Sequence, residues 1–332
     1  MAKPRKDQID ADNISAYYFI TTKCARKSWL CGFDPETGYD YEYRKHRLQA
    51  RIHYLNSVFA IDVAGYSVMS NHYHLLLRIN RKMMASWSDQ EVVERWLCLF
   101  KAYDKPFIHR WYQGEVLSRA EQQQVDEEIG KWRERLIDPS WLMRCLNEPM
   151  ATQANREDGM RGHRFWEPRF DSRAVMTQAD LLACLSYVDL NPVRACLARA
   201  LEDSDYTSFQ ERLRQYFVTS ARLIEGLPET DEDLLARYNI PVKPLMPFKG
   251  GELANDEWGL PFSFQAYQEL VDWLGRCQHP DKRGFIDDSV PPILERLQTD
   301  QRLWINAATQ FNSKHHRRLK TYQAKQACDW LN

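Results

Sequence analysis

Residues 65–79 read GYSVMSNHYHLLLRI, and the second half of this stretch decides the fold. Side chains alternate between the two faces of a β-strand. In HYHLLLRI, His72, His74, Leu76 and Arg78 therefore share one face, and Tyr73, Leu75, Leu77 and Ile79 the other. The second set is a core face. The first brings two imidazoles side by side, and something must use or tolerate them. Ser70 and Asn71 make a short turn, so FAIDVAGYSVM (59–69) is the hairpin partner. Upstream, AYYFITTKC (16–24) is rich in β-branched and aromatic residues and reads as a further strand. Between the two, YRKHRLQARIHYLNSVF (43–59) places Leu48, Ile52, Leu55 and Phe59 at helical spacing. Strand, helix, strand, strand opens an α+β sandwich, a small antiparallel sheet backed by helices.

The 332 residues are enough for one large or two ordinary domains. The net charge is −1, so the whole-chain charge does not announce a nucleic-acid binder, and any such surface must come from local segregation of charge. The opening MAKPRKDQID leads into no apolar run, no segment is apolar over the length of a membrane span, and the 8 cysteines form no C-x-x-C pair. Reduced core thiols in a cytoplasmic protein are the expectation, rather than a zinc or disulfide framework.

Downstream of the histidine strand the pattern turns helical over residues 81–155. Ser88 with Glu91 and Ser118 with Glu121 form capping boxes, and SWLMRCLNEPMATQANRE (140–157) reads as a third helix. GHRFWEPRFDSRAV (162–175) reads as loop and strand. Thr177 and Asp180 form another capping box at the head of QADLLACLSYVDL, and Pro192 suits the first position of a second helix. YNIPVKPLMPFKGGELAND (238–256) has the prolines and paired glycines of a linker. Helix-like segments follow around 263–276, 289–310 and 313–331. The division expected is residues 1–215 as a catalytic domain carrying the helical insertion, and 216–332 as a mainly helical C-terminal extension.

Two histidines at i and i+2 of a strand suit a divalent metal, although H-x-H alone also describes two histidines with no ligand. A third group comes from the helix opened by Thr177, where Tyr187 and Asn191 are four residues apart on one side. Asn191 offers a carbonyl oxygen, but it also precedes Pro192 and makes a natural N-cap. Tyr187 offers a phenol, a competent nucleophile at phosphorus when a cation neutralises the phosphoryl oxygens. On spacing alone, a structural tyrosine stands beside that reading.

MSNHYHLLL, then RFWEPRFDS, then LSYVDLNPVRACL resemble, in this order, the single-tyrosine HUH transposases, and within them the branch of REP-associated tyrosine transposases. TTKCARKSWLCG (21–32) and DSDYTSFQERL (203–213) are also similar to segments of that branch, and the likeness covers residues 14–80 and 160–213. It implies an HUH endonuclease-like sandwich with the histidine pair on a central strand and the tyrosine on a helix facing it. It also implies that His72, His74 and Asn191 hold Mg²⁺ or Mn²⁺ and that Tyr187 is the nucleophile. The implied activity is DNA transposition chemistry: cleavage and rejoining of single-stranded or hairpin DNA through a covalent 5′-phosphotyrosine. A DNA-binding protein of the same fold that does not cut, and a metal-dependent hydrolase that uses water, are the rival readings. Tyr73, between the histidines, is a second phenol, and its strand parity points it away from them.

Arg161, Arg164, Arg169 and Arg173 interleave with Phe165, Trp166 and Phe170, a composition suited to holding phosphates and stacking bases. Glu157, Asp158, Glu167 and Asp171 nearly balance those arginines, so a solvated loop with core aromatics is the competing reading. Arg78 on the histidine face, Lys23, Arg26 and Lys27 after the first strand, and the basic tail from Lys314 to Lys320 are further candidate DNA contacts. Relatives in the wider family act as dimers, and members of the branch as monomers, so the resemblance leaves both states open.

Overall fold

The computed structural model describes residues 17–25, 31–35, 38–100, 105–160, 162–217, 229–251, 258–278 and 281–293. Arg26, Lys27, Arg161, most of the segment 289–310 and the basic tail lie outside the described residues. The chain is a mixed α+β fold. Strands β1 (Tyr17–Lys23), β2 (Ile61–Val68), β3 (His72–Ile79) and β4 (Asp171–Val175) form one sheet in the order β2-β3-β1-β4. Every neighbouring pair is antiparallel. Helix α1 (Tyr43–Val58) connects β1 to β2, as its apolar spacing requires.

Between β3 and β4 stand α2 (Arg81–Ser86), α3 (Asp89–Leu99), α4 (Pro106–Tyr112), α5 (Arg119–Leu136) and α6 (Pro139–Glu157). Both capping boxes read from the sequence are present, Ser88 with Glu91 on α3 and Ser118 with Glu121 on α5. Trp96 of α3 stacks on Trp132 of α5, with ring centroids 5.3 Å apart. The insertion and α1 share one core with the face of the sheet that carries Tyr73, Leu75 and Leu77.

The other face packs against α7 (Gln178–Arg194) and α8 (Ser208–Phe217), and α10 (Phe264–Arg276) packs on α7. Thr177 and Asp180 form the expected box at the start of α7. The end of that helix differs from the sequence reading, because no second helix begins at Pro192. α7 runs through Pro192 to Arg194, and Asn191 is an interior helical residue rather than an N-cap. Only the last turn lies beyond the proline, so its missing N–H leaves one carbonyl unserved near a helix end, where such loss is cheapest. Leu185 of α7 sits close against the sheet, where a Cβ on Gly65 would lie 2.5 Å from its Cδ1. Asp189, on another side of α7, is buried and accepts from Ser208 Oγ (2.7 Å), the Phe209 amide (3.1 Å) and Tyr267 Oη (2.6 Å). Those bonds tie α7 to α8 and α10.

The expected linker is a second correction. Residues 238–251, after α9 (Glu229–Arg237), pack along β2. The Met246 amide donates to the Val63 carbonyl, and Lys243 Nζ donates to the Ile61 carbonyl and pairs with buried Asp62. Prolines suit this role because a strap beside a sheet edge need satisfy few donors of its own, and it removes β2 as an open edge. Ala64 is an extra residue in β2, since Val63 pairs with Leu77 and Gly65 with Leu76. Buried Arg212 of α8 donates to the carbonyls of both Ala64 and Met246. One hydrophobic cluster includes Leu76 of the sheet, Leu185 of α7 and Tyr267 of α10, so residues on both sides of position 216 share a core.

Candidate active site

Strand register assembles the site. Opposite His74 on β1 stands Thr21, and opposite His72 stands Lys23. Phe19, two residues before Thr21, pairs across the other edge of β1 with Arg173 of β4. The two imidazoles lie with ring centroids 4.9 Å apart at an interplanar angle of 80°. Above them α7 lowers Tyr187, whose ring meets His74 edge-on at 5.3 Å. Phe19 stacks on His74 at 5.4 Å and meets Tyr187 edge-on at 5.8 Å, so each ring is held by the other two. Offset and edge contacts of this kind each contribute about 1 kcal/mol beyond their buried area. A phenol from position 187 and imidazoles from positions 72 and 74 thus share one place, on the face of β3 away from the helical insertion.

His72 Nδ1 lies 2.6 Å from Asn71 Oδ1, an atom that only accepts, so Nδ1 carries the proton and Nε2 the lone pair. His74 Nδ1 lies 2.8 Å from Thr21 Oγ1. His74 Nε2 is buried and has no hydrogen-bond partner among the described residues. A buried polar atom left so is costly unless a ligand serves it. Burial, reinforced by the nearby ammonium groups of Lys23 and Lys282, pushes His72 down to about 4. Burial, then His72, Lys23 and Lys282, hold His74 well below its ordinary range. Both rings are neutral at neutral pH and offer lone pairs, the state in which imidazole binds a metal.

Tyr187 is half-buried, neither sealed in the core nor free. Burial raises its pKa, while hydrogen bonding by the Asn191 side chain and the charge of Arg173 act the other way. Asn191 itself is 9 % exposed and lies on the same flank of α7. Among the described residues no three His, Cys, Asp or Glu side chains group as a metal site. A cation here would draw on the imidazole pair and on the Asn191 amide oxygen, on the same flank of α7 as Tyr187. The paired neutral imidazoles and the orphaned Nε2 fit such an ion.

Of the other residues singled out from the sequence, Lys23, opposite His72, and Arg173, opposite Phe19, are exposed beside this site. Arg164 and Arg169 are exposed in the loop before β4. Arg78 shares the histidine face but stands four residues from His74, roughly 13 Å along the strand, and its guanidinium faces buried Asp62 at 3.8 Å. Trp166 is not available to a nucleic-acid base. It is 9 % exposed, meets Tyr73 edge-on on the opposite side of the sheet, and its indole N–H donates to the Asn147 carbonyl. An aromatic beside arginines reads as a stacking platform in one dimension, but the bridge between Cys24 and Trp166 turns this one inward. The sequence reading passed over Phe19, Thr21 and Asn71. The alternation Tyr17, Phe19, Thr21, Lys23 contained the first two, and only the β1–β3 register aligns them with the histidines.

No family model matches the chain, and no curated protein matches it. Among solved structures it is similar to one described as the REP-associated tyrosine transposase bound to a REP hairpin. The identity is 13 % and the TM-score 0.35, covering 77 % of this chain and 100 % of that one. No helix among the described residues is long and apolar enough to cross a membrane.

Proposed function

We propose that the protein cuts and rejoins single-stranded or hairpin DNA, with Tyr187 as nucleophile. The observation that carries this reading is the contact of the half-buried Tyr187 ring with His74, beside His72, with Lys23 and Arg173 exposed nearby. Tyr187 Oη forms a bond to phosphorus while the bond from phosphorus to the 3′ oxygen breaks. The phenol loses its proton and the departing 3′ oxygen gains one, leaving a 5′-phosphotyrosine. In the reverse step a 3′-hydroxyl attacks, the bond between phosphorus and Oη breaks, and the phenol is regenerated. One ester replaces another, so no nucleotide cofactor is consumed.

His72, His74 and Asn191 would hold Mg²⁺ or Mn²⁺, which supplies charge neutralisation at the phosphoryl oxygens. Asn71 accepts from His72 Nδ1 and leaves its Nε2 free of a proton, and a Thr21 hydroxyl accepting from His74 Nδ1 would do the same for His74. Asn191 and Arg173 favour the phenolate against the burial that opposes it. Phe19 and His74 restrict the Tyr187 ring to one attitude, which lowers the entropy lost on reaching an in-line attack.

The test is incubation with a pool of hairpin oligonucleotides bearing single-stranded arms, in Mn²⁺ or Mg²⁺, followed by denaturing electrophoresis. Wild type gives a protein–DNA adduct and Tyr187→Phe gives none. Binding without adduct in the wild type would leave a DNA-binding protein that does not cut. Turnover that survives Tyr187→Phe would mean that water is the nucleophile.

A further inference from the structure

The most C-terminal described segment, residues 281–293, is packed on the helix that carries Tyr187. Gly284 rests on its last turn so closely that a Cβ there would lie 1.8 Å from the Val193 carbonyl oxygen. Any other residue would force the two backbones apart. Arg194, at the end of α7, donates to the Gly284 carbonyl (3.3 Å) and to the carbonyls of Leu274 and Cys277 (both 2.6 Å). The Ile286 amide donates to the Gly275 carbonyl at 2.9 Å, and its buried side chain fills the space a Cβ on Gly275 would need. Backbone contacts on both sides therefore fix the register of this segment against α7. Lys282 is two residues before Gly284, a chain span of at most about 7 Å. Asn191 is two residues before Val193, about 3 Å along the helix axis. The exposed Lys282 therefore lies beside the end of α7 that carries Asn191.

Two elements unrelated in sequence also carry cations beside the histidines. Lys23 ends β1 opposite His72, and Arg173 stands on β4 opposite Phe19. Asp281 and Arg283, the neighbours of Lys282, are also exposed.

We infer that Lys282 is a phosphate-holding residue of the proposed strand-cutting site, delivered by the C-terminal extension to complete a three-sided cationic rim with Lys23 and Arg173. The inference rests on the reading of the site as one that takes single-stranded DNA. It makes the extension part of the DNA-binding surface, because the strap that pins α7 also supplies a contact to the strand threaded beneath that helix. Lys282 is a positioning residue, acting on a phosphate of the bound strand and not on the reacting atoms.

The experiment measures binding of fluorescein-labelled oligothymidylate to the full chain over a range of salt concentrations, with the Tyr187 adduct scored in parallel on the hairpin pool. Each lost phosphate contact lowers the slope of log K against log salt by about 0.7 for single strands. Lys282→Ala is expected to lower the slope by that amount and weaken binding severalfold at low salt. Lys282→Arg is expected to restore the slope, and Arg283→Ala to leave it unchanged. A purely structural role of Lys282 would not alter the salt slope. An adduct in wild type with an unchanged slope in Lys282→Ala, or an equal drop in Arg283→Ala, overturns the assignment and leaves the strand-cutting reading intact. Slope loss in Lys282→Ala without adduct in wild type overturns the cutting and upholds the contact. Absence of binding by wild type overturns both.

Discussion

Tyr73 belongs to β3 and Tyr187 lies against it, and the difference between them shows how one strand separates structure from chemistry. Tyr73 is fully buried on the insertion side, meets Trp166 edge-on, and donates its hydroxyl to Asn147 of α6. Burial holds it as a phenol far above its ordinary range, against the opposing hydrogen bonds of Thr22 and Asn147. Tyr187 is half-buried on the other side, against His74, with Asn191 and Arg173 offsetting its burial. Tyr73 is next to both histidines in sequence and remote from them in chemistry, because alternation sends it through the sheet. The face covered by the insertion is sealed and serves packing. The face covered by α7 is left partly open and collects the groups able to act on a substrate.

The largest effects should therefore come from the open face. His74→Ala removes a lone pair, one wall of the Tyr187 ring contact and the partner of Thr21. It is expected to lower adduct formation by roughly 100-fold, with oligonucleotide affinity changed far less. Thr21→Val keeps the shape but loses the bond to Nδ1, and is expected to weaken Mn²⁺ binding by roughly 10-fold, the scale typical of a lost outer-shell partner. Titration with Mn²⁺ alone reads this, and equal affinity in Thr21→Val and wild type would mean that the imidazole needs no such guide.

This contrast was half legible in the sequence. The period-two pattern of HYHLLLRI assigned each of its residues to the correct face, and the Thr177 box with the spacing of Tyr187 and Asn191 placed both on one helical flank. Those are local signals, written within a few residues. Hidden were relations between distant segments. Nothing in AYYFITTKC says that Thr21 will face His74. Nothing in the proline-rich stretch around Lys243 says that it will pair with Asp62 instead of spanning solvent. Asn191-Pro192 is the case where a local rule pointed the wrong way. The bonds that Asp189 and Arg194 make to α8, α10 and the strap hold α7 helical through a residue pair that would break a helix on its own.

Next in size is a change at the seam where α7 meets the sheet. Gly65→Ala places a methyl 2.5 Å from Leu185 Cδ1 and 3.2 Å from Ser208 Oγ, so the helix must lift or Leu185 must leave its rotamer. Overpacking of this kind costs about 1–3 kcal/mol. Because Tyr187 rides on the same helix, adduct formation should fall together with the urea midpoint. Tyr73→Phe, by contrast, deletes the hydrogen bond that Tyr73 donates to Asn147 on the sealed face and should cost about 1 kcal/mol. Its adduct yield should equal wild type. A loss of adduct in Tyr73→Phe at unchanged stability would end the separation of the two faces.

The smallest expected effect concerns acid. The sealed face is closed at its rim by Arg44 of α1, buried to 2 % exposure, which pairs with Glu157 at 3.0 Å and Asp158 at 2.7 Å. Burial alone would raise the Glu157 pKa, but hydrogen bonds from Tyr43, Arg44 and Gln153 outweigh it and hold the carboxyl below its ordinary value of 4.5. A carboxyl depressed in the folded state contributes its stability in full above the unfolded-state value and loses it as pH falls through the folded one. Acidification below 4.5 should therefore weaken the α1–α6 closure progressively. Glu157→Gln should lower the urea midpoint modestly at neutral pH, where Asp158 still holds Arg44, and should flatten the decline in acid. If the acid limb keeps its full slope in Glu157→Gln, other carboxylates carry it. Either way the adduct measured at neutral pH should match wild type, since this cluster lies across the sheet from Tyr187.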